Sequence, residues 1–261
     1  MLLAIDIGNT NVTLGLWDGQ AWTNQWRLRT DRARTADEYG IMLKMLLHEA
    51  EVATAVSRVA MSSVVPPLTA VFTQLIERYL NLTPLRVNAS LDTGIAIRTD
   101  NPPEVGADRI VNAAAAAHLY PGPSIVIDMG TATTFDVVSK DHELLGVVIA
   151  PGLQLAANAL TAGAAQLSGV ALEAPPHVIG RNTVHAVQSG LIFGYASLVE
   201  GVVQRLLREH PNREEKVNVI GTGGLINLIT PHTTVIDHID PWLTLTGLRL
   251  ISERHHVPSG S

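Results

Sequence analysis

The sequence predicts a mixed α/β protein built from two similar lobes. Two observations carry this prediction. An Asp-x-Gly turn occurs twice after a short apolar strand, first as Asp6-Ile7-Gly8 and again as Asp128-Met129-Gly130. A meander of three strands followed by helices surrounds each copy, which is the pattern of a duplicated, layered α/β unit.

The first half reads as three strands, a helix, a fourth strand and a second helix. Alternating or continuous apolar residues predict strands at 2–6, 12–17, 21–28 and 59–65. Thr35 and Glu38 have the spacing of a capping box, which predicts a helix to about residue 50. Pro66-Pro67 opens the second helix. Short edge strands are expected near 85–87 and 95–97, and the alanine-rich run 108–118 predicts a third helix.

The second half repeats this plan. Strands are expected at 124–128, 134–138 and 144–149, and Pro151-Gly152 then starts a helix through Leu167. A loop over 168–182 leads to a long helix over 183–209, a buried strand at 217–220 and a glycine-rich turn before a short helix. A last amphipathic helix covers about 242–254. The lobes are therefore placed at 1–118 and 119–256, with a disordered tail at 257–261.

Composition restricts the class of protein. The 261 residues are 46% hydrophobic and 16% charged, as in a globular protein with a large core. A net charge of −6 argues against a broad nucleic-acid surface. No apolar run approaches the ~20 residues of a membrane helix, the start does not read as a signal peptide, and cysteine is absent. We therefore expect a cytoplasmic protein without nucleic-acid or membrane partners.

Each Asp-x-Gly turn suits a phosphate group. Glycine lets backbone N–H groups approach a phosphate, and the carboxylate can hold a metal ion or orient water. The alternatives are an ordinary hairpin turn for the first copy and, for Asp128, a carboxylate that only caps backbone amides. A nucleotide clamped between two lobes uses both turns and is favoured for that reason. The basic cluster at 27–34 reads mainly as a solvated connection, with anion binding as the alternative.

Five segments in this order resemble the type III pantothenate kinases, a family of the acetate kinase, sugar kinase, actin and chaperone superfamily. They are residues 6–11, 101–109, 128–136, 179–183 and 222–224, and the resemblance runs from residue 2 to about residue 252. It implies a ribonuclease-H-like fold in each lobe with the nucleotide cleft between them, and a homodimer. It also implies phosphorylation of pantothenate by ATP, the first step of coenzyme A synthesis.

The resemblance assigns roles to individual residues. Asp108 is the implied general base for the substrate hydroxyl, and Arg109 the implied partner of the substrate carboxylate. Asp6 is expected to hold the Mg²⁺ that accompanies ATP, and Asp128 an activating monovalent cation, K⁺ or NH4⁺. The implied ATP-binding residues are Asp6, Gly8, Asn9, Thr10, Asn11, Gly130, Thr131 and Gly223. The implied substrate-binding residues are Thr99, Gly106, Ala107, Asp108, Arg109 and Thr183.

Some alternatives stay open at this point. Plain helix capping is the other role for Asp108 and Thr183. Thr99 stands where many family members have a tyrosine, and Gly146-Val147 stands where a Gly-Gly pair is usual. Since the charged site residues are all present, we expect an active enzyme, with substrate choice depending on Thr99. The alternative functions are an inactive regulatory homologue that acts through protein partners and a kinase of a related hydroxy acid.

Overall fold

The computed structural model describes residues 1–52, 55–163 and 169–256, which form two compact α/β units. Unit 1 contains the chain up to Ala115 together with the chain from Trp242 onward. Unit 2 contains Ala116–Pro241. Each unit has a sheet and a hydrophobic core, as the sequence predicts.

Unit 1 is a mixed sheet with helices on both faces. The strand order is β3-β2-β1-β4-β5, antiparallel within the first three strands and parallel from β1 to β5. Alternate residues of β1 face opposite sides, so one face packs on α1 and α2 and the other on α7 and the first turns of α3. The elements are β1 (Leu2–Ile7), β2 (Asn11–Trp17), β3 (Trp22–Arg29), α1 (Ala36–Glu49), β4 (Arg58–Ser63), α2 (Pro66–Leu80), β5 (Leu85–Arg86), β6 (Ala96–Ile97), α3 (Ala107–Leu119) and α7 (Leu243–Arg254).

Unit 2 repeats the arrangement of unit 1. Its strands run in the order β9-β8-β7-β10-β11, which matches β3-β2-β1-β4-β5 strand for strand, including the parallel pairing of the central and fourth strands. Helices α4, α5 and α6 pack on one face. The duplication predicted from the sequence is therefore confirmed. The elements are β7 (Ser124–Met129), β8 (Ala132–Val138), β9 (Glu143–Pro151), α4 (Leu153–Gly163), α5 (Thr183–Glu209), β10 (Asn218–Thr222), α6 (Ile226–Ile229) and β11 (His238–Ile239).

The C-terminal helix corrects the predicted domain assignment. The sequence analysis placed 119–256 in the second lobe, but α7 buries Leu248 and Ile251 in the same cluster as Leu2 of β1. The helix therefore belongs to unit 1. The first boundary between the units, predicted after residue 118, lies after Ala115. It falls inside α3, which is continuous from Ala107 to Leu119.

The start of α4 also differs from its prediction. β9 extends to Pro151, which pairs with Ala132, and the helix begins at Leu153. Proline is tolerated at the end of a strand as well as in the first turn of a helix, so the pattern alone does not separate the two. The predicted continuation of this helix over 164–167 and the predicted tail at 257–261 lie outside the described residues.

Among the described helices, α5 alone is long and apolar enough to cross a membrane by length and composition. Its most apolar window has a mean hydropathy of 1.3 and is 44% buried inside the protein. Core residues such as Ile192 and Val199 are fully buried against the sheet of unit 2. Core helices of globular proteins meet the same criterion, so this observation is weak support for a membrane span.

Candidate functional site

The first Asp-x-Gly turn lies at the carboxyl end of β1, where the hairpin to β2 closes. The Gly8 N–H donates to the Asn11 carbonyl at 3.0 Å. A Cβ on Gly8 would lie 3.1 Å from that same oxygen, so a larger residue would crowd the turn. Asn9 and Thr10 at its tip are exposed. The turn therefore presents polar groups at the end of a buried strand.

Two residues that follow β3, Thr30 and Arg32, donate hydrogen bonds to this turn. The Thr30 N–H donates to the Thr10 carbonyl at 2.9 Å, and the Thr30 hydroxyl donates to the Gly8 carbonyl at 2.6 Å. The Arg32 guanidinium donates to Asn9 Oδ1 at 2.9 Å. Carbonyl groups of the turn are thus engaged by the protein, and one arginine of the basic cluster lies beside it. Anion binding by this cluster stays a prediction.

Asp6 is flanked by a hydroxyl residue on each neighbouring strand. In the register of the sheet it pairs with Thr13 of β2 and with Ser62 of β4. The Ser62 side chain is fully buried and its hydroxyl donates to Asp6 Oδ1 at 2.5 Å. Sequence reasoning missed Ser62. The available signal was a hydroxyl residue at the end of the buried run 59–61.

Asp108 lies in the first turn of α3, close to the end of β4. Its carboxylate accepts the Arg109 N–H at 2.9 Å and Arg109 Nη2 at 2.7 Å. A Cβ on Gly106 would lie 2.5 Å from Asp108 Oδ1 and 3.4 Å from Val64 Cγ1. The Val64 N–H donates to the Ile7 carbonyl, at the end of β1, at 3.1 Å. Asp108 and Arg109 therefore lie at the same edge of unit 1 as the first turn.

Neither Asp108 nor Thr183 precedes its helix as an N-cap does, although the Asp108 carboxylate accepts a backbone N–H of the first turn. α3 begins at Ala107, so Asp108 is inside the first turn, where the positive end of the helix favours a carboxylate. The N-cap of α5 is Asn182, whose side-chain oxygen accepts the His185 N–H at 2.8 Å. Thr183 is the first residue of that helix and is exposed.

The second Asp-x-Gly turn joins β7 to β8 in unit 2. The Gly130 N–H donates to the Ala132 carbonyl at 3.0 Å, and Thr131 at the tip is exposed. Three residues separate the paired strand ends here, whereas four separate those of β1 and β2. The two turns are thus similar in position but differ in length by one residue.

Asp128 occupies the place of Asp6 in the second unit. It pairs with Thr134 of β8 and with Thr222 of β10, so hydroxyl residues again flank the carboxylate from both sides. Gly223, with φ of +92°, follows directly: a Cβ there would lie 2.6 Å from Asp128 Oδ1. A Cβ on Gly152 would lie 2.1 Å from the Thr131 carbonyl oxygen. Both glycines are therefore required for the backbone to approach the second turn closely.

Thr183 borders a cavity of about 820 Å³ inside unit 2. A polar rim of Arg181, Asn182 and Thr183 meets an apolar wall that includes Leu160 and Tyr195. The Tyr195 hydroxyl donates to a backbone carbonyl, and burial raises the pKa of this phenol. The cavity combines apolar surface with a few polar groups, as small-molecule sites commonly do.

The two positions that depart from the family pattern differ in their surroundings. The Thr99 hydroxyl oxygen is buried and finds no hydrogen-bond partner in the described part of the chain. A buried hydroxyl without a partner is unfavourable, and a ligand that bonds to it would remove this cost. In contrast, a Cβ on Gly146 would meet nothing within 4 Å, and the adjacent Val147 pairs with Asp136 of β8.

The donor groups fit the expected cations. Asp6 and Asp128 offer carboxylates beside hydroxyl residues, which are hard oxygen donors. Within residues 1–52, 55–163 and 169–256, no group of three or more His, Asp or Glu side chains could hold a metal ion. Mg²⁺ in kinases needs only one or two carboxylates because water and substrate phosphates complete its coordination. Each of the two carboxylates, taken in its own unit, therefore suits an ion that arrives with a nucleotide.

Comparisons with known proteins agree with this geometry. The family profile described as type III pantothenate kinase matches residues 2–205. The type III pantothenate kinase of Moorella thermoacetica is 48% identical over 256 residues, covering 98% of this chain and 100% of the relative. That of Exiguobacterium sp. is 46% identical over 256 residues, covering 98% and 99%.

A solved structure shows the same fold at low sequence identity. The inorganic polyphosphate/ATP-glucomannokinase of Arthrobacter sp. strain KM has a TM-score of 0.53 and 15% identity, and the match covers 98% of this chain and 99% of that one. The chain thus has the two-lobed, actin-like ATPase fold. Together with the family profile and the full-length relatives, this places the chain in the type III pantothenate kinase family.

Proposed function

We propose that this protein is a kinase that transfers the γ-phosphate of ATP to the hydroxyl of pantothenate. The products are 4′-phosphopantothenate and ADP, and the reaction opens coenzyme A biosynthesis. Support comes from family membership and from one observation of the site: Asp108 is held at the edge of unit 1 where the first phosphate turn ends. We also expect a cytoplasmic location, without nucleic-acid or membrane partners.

Asp108 acts as the general base in this proposal. The substrate hydroxyl oxygen attacks the γ-phosphorus of ATP, and its proton passes to the Asp108 carboxylate. The bond between the γ-phosphorus and the oxygen that bridges it to the β-phosphorus breaks, and ADP leaves with that oxygen. Phosphoryl transfer demands mainly positioning and charge neutralisation from a protein. Arg109 provides that positioning by donating two hydrogen bonds to the Asp108 carboxylate, and Gly106 leaves room for it because a Cβ there would lie 2.5 Å from Asp108 Oδ1.

The two turns bind the phosphates of ATP. Backbone N–H groups and side chains of residues 8–11, 130 and 131 are the proposed donors, and Gly223 is the proposed adenine contact. Asp6 is the proposed Mg²⁺ residue, and Asp128 the proposed residue for K⁺ or NH4⁺. Mg²⁺, when bound, neutralises phosphate charge. That both turns serve one nucleotide stays a prediction.

Substrate recognition falls to the remaining residues. Arg109 suits the pantothenate carboxylate because its planar guanidinium can grip both oxygens. The Thr99 hydroxyl, which has no hydrogen-bond partner among the described residues, is a second proposed contact. Gly106, Ala107 and Thr183 complete the proposed set.

A coupled kinase assay tests the proposal. Purified protein with Mg²⁺, ATP and a potassium salt should convert pantothenate to 4′-phosphopantothenate, and omission of potassium and ammonium should reduce the rate. Asp108→Asn should lower kcat by at least about 100-fold, the usual contribution of a general base. Asp141→Asn, an exposed aspartate in the β8–β9 turn, is the matched control and should leave kcat unchanged. Near-normal turnover of Asp108→Asn contradicts the assignment of the base.

A related hydroxy acid is the second candidate substrate, favoured by threonine at position 99. Threonine keeps a hydroxyl but lacks the ring of a tyrosine, so the contacts that select the substrate would differ at this position. Comparing kcat/KM over a panel of pantothenate analogues separates the two substrates. Nucleotide binding without phosphorylation of any panel member would instead favour the regulatory homologue.

The proposed homodimer is supported by exposed apolar side chains on unit 2. Ile179 is 82% exposed and Ile149 is 71% exposed. Six more large apolar residues in the described part of unit 2 are exposed: Leu119, Leu155, Leu160, Val178, Val184 and Ile239. Covering such residues with a second copy removes apolar surface from water. Sedimentation equilibrium tests this proposal, and a monomer at micromolar concentration contradicts it.

A further inference from the structure

A buried hydroxyl donates a hydrogen bond to the Asp6 carboxylate. Ser62 has no exposed surface, pairs with Asp6 in the parallel register of β1 and β4, and donates to Asp6 Oδ1 at 2.5 Å. Hydrogen bonds from a hydroxyl to a carboxylate are short and strong. An ionised carboxylate only accepts, so the direction of this bond is fixed. The bond therefore holds one oxygen of Asp6 in place.

The neighbouring Ser63 shows that this role is specific to one of two adjacent serines. Side chains alternate along a strand, so Ser62 and Ser63 face opposite sides of the sheet. The Ser63 hydroxyl accepts the Val65 N–H at 3.2 Å and the Thr69 hydroxyl at 2.8 Å, and so supports the start of α2. Ser62 instead lies on the face of Asp6.

The second unit contains the same arrangement, built from different residues. Thr222 stands on β10 as Ser62 stands on β4, directly beside the carboxylate-bearing strand. It is 2% exposed, so this hydroxyl residue is also buried. A buried hydroxyl residue therefore stands beside the aspartate in the parallel register of both units.

We infer that Ser62 is a positioning residue that orients Asp6 for Mg²⁺, an inference that rests on the proposed function. Partners that hydrogen-bond a ligating carboxylate fix its rotamer and tune its affinity for the metal. Ser62 touches neither nucleotide nor substrate in this assignment. It acts through Asp6 alone.

The test measures metal binding as well as activity. Mn²⁺ titration with ADP, followed by electron paramagnetic resonance, reports the affinity of the site without turnover. Ser62→Ala should weaken Mn²⁺ binding by about 10-fold and raise the Mg²⁺ concentration for half-maximal activity by a similar factor. The KM for pantothenate should stay unchanged, because Ser62 does not contact the substrate.

Two further variants complete the design. Ser62→Thr keeps the hydroxyl, and Thr222 shows that threonine fits the equivalent place, so this variant should retain wild-type Mn²⁺ affinity. Ser63→Ala is the matched control, with lower thermal stability but unchanged Mn²⁺ affinity. Circular dichroism verifies that each variant is folded.

Asp6→Asn separates failure of the inference from failure of the proposed function. If Asp6→Asn weakens Mn²⁺ binding and Ser62→Ala does not, the positioning role is wrong and the metal residue stands. If both variants bind Mn²⁺ with ADP as the wild type does, the proposed metal residue is wrong as well. In the double variant, Ser62→Ala should add nothing to the effect of Asp6→Asn, since Ser62 acts on Mn²⁺ binding only through the Asp6 carboxylate, which the second substitution removes.

Discussion

Gly106 determines where the Asp108 carboxylate can lie. A methyl group at residue 106 would clash with the Asp108 carboxylate, since it would lie 2.5 Å from Oδ1. It would lie 3.4 Å from Val64 Cγ1, which is an ordinary van der Waals distance. The carboxylate is the end of a flexible side chain and can move aside with little loss of stability. Its movement should nevertheless be costly for catalysis, because the base must reach the substrate hydroxyl.

We therefore predict that Gly106→Ala lowers kcat while the protein stays as stable as the wild type. A shift of about 1 Å at a reacting group can cost about 100-fold in rate, so we expect a fall in kcat of about 10- to 100-fold. Steady-state kinetics and thermal unfolding measure the two effects. Gly146→Ala makes the same chemical change where nothing lies within 4 Å and should leave kcat unchanged. Equal kcat in the two variants contradicts the prediction.

The residues that the sequence revealed and those that it hid differ in one respect. Asp6, Asp108 and Asp128 are visible because turns and helix starts are local patterns. Ser62 and Gly152 act on residues far away in the sequence, through strand register and close backbone approach. A single sequence carries no direct signal of register across parallel strands, so these partners become visible only in the structure.

At the scale of elements, α1 and α2 are fastened by a close contact. A Cβ on Gly40 of α1 would lie 2.3 Å from the Tyr79 ring of α2. The Tyr79 hydroxyl donates to Asp37 Oδ1 at 2.7 Å, and Arg78 donates to the same oxygen at 2.5 Å. These hydrogen bonds hold the pKa of Asp37 below its usual value. The ring is therefore fixed above the glycine and cannot move aside freely.

We predict that Gly40→Ala destabilises the protein even though alanine is the better helix former. The gain in helix propensity is about 1 kcal/mol, whereas overpacking a close contact costs about 1–3 kcal/mol. The net loss in free energy of unfolding should be about 1 kcal/mol, measured by urea denaturation. In a Tyr79→Ala background the ring is gone, and Gly40→Ala should become stabilising. A stabilising effect in both backgrounds contradicts the contact.

Elements with local end signals were predicted well, and elements defined by distant contacts were not. Thr35 and Glu38 form the capping box that the spacing predicts, and α1 begins where expected. Pro151 was assigned to the start of a helix, but its pairing with β8 makes it the end of β9. A proline therefore marks an element boundary without saying which element it closes.

The repeat in the sequence was sufficient to predict two units whose strands follow one another in the same order. It was not sufficient to assign α7. Leu248 and Ile251 form an apolar face, but the pattern does not say which sheet it covers, and only the structure shows that it packs beside Leu2. Unit 1 thus contains the chain from Met1 and also from Trp242 onward, and unit 2 is a single continuous segment.

We predict that the two units differ in how their stability depends on pH. His210 in unit 2 is 1% exposed, its Nε2 lies 3.3 Å from the Val138 carbonyl, and its Nδ1 accepts the Asn212 N–H at 3.1 Å. Burial lowers the pKa of His210 below its ordinary 6.5, although the hydrogen bond to Val138 acts in the opposite direction. The unfolded chain then binds the proton more readily. Stability is full above about pH 6.5 and falls as the pH drops toward the folded pKa.

The four tryptophans allow the affected unit to be identified. Trp17, Trp22, Trp26 and Trp242 all lie in unit 1. If the units unfold separately, lowering the pH from above 6.5 toward the folded pKa of His210 should shift the urea midpoint seen by far-ultraviolet circular dichroism and leave that seen by tryptophan fluorescence in place, because Asp37 of unit 1 titrates only below its ordinary value of 3.8. His210→Asn keeps an acceptor for the Asn212 N–H but cannot be protonated, so it should flatten the decline below pH 6.5. His48→Asn, an exposed histidine of α1, should keep the wild-type profile. Identical pH profiles for His210→Asn and the wild type would show that burial of this imidazole does not govern the acid stability of unit 2.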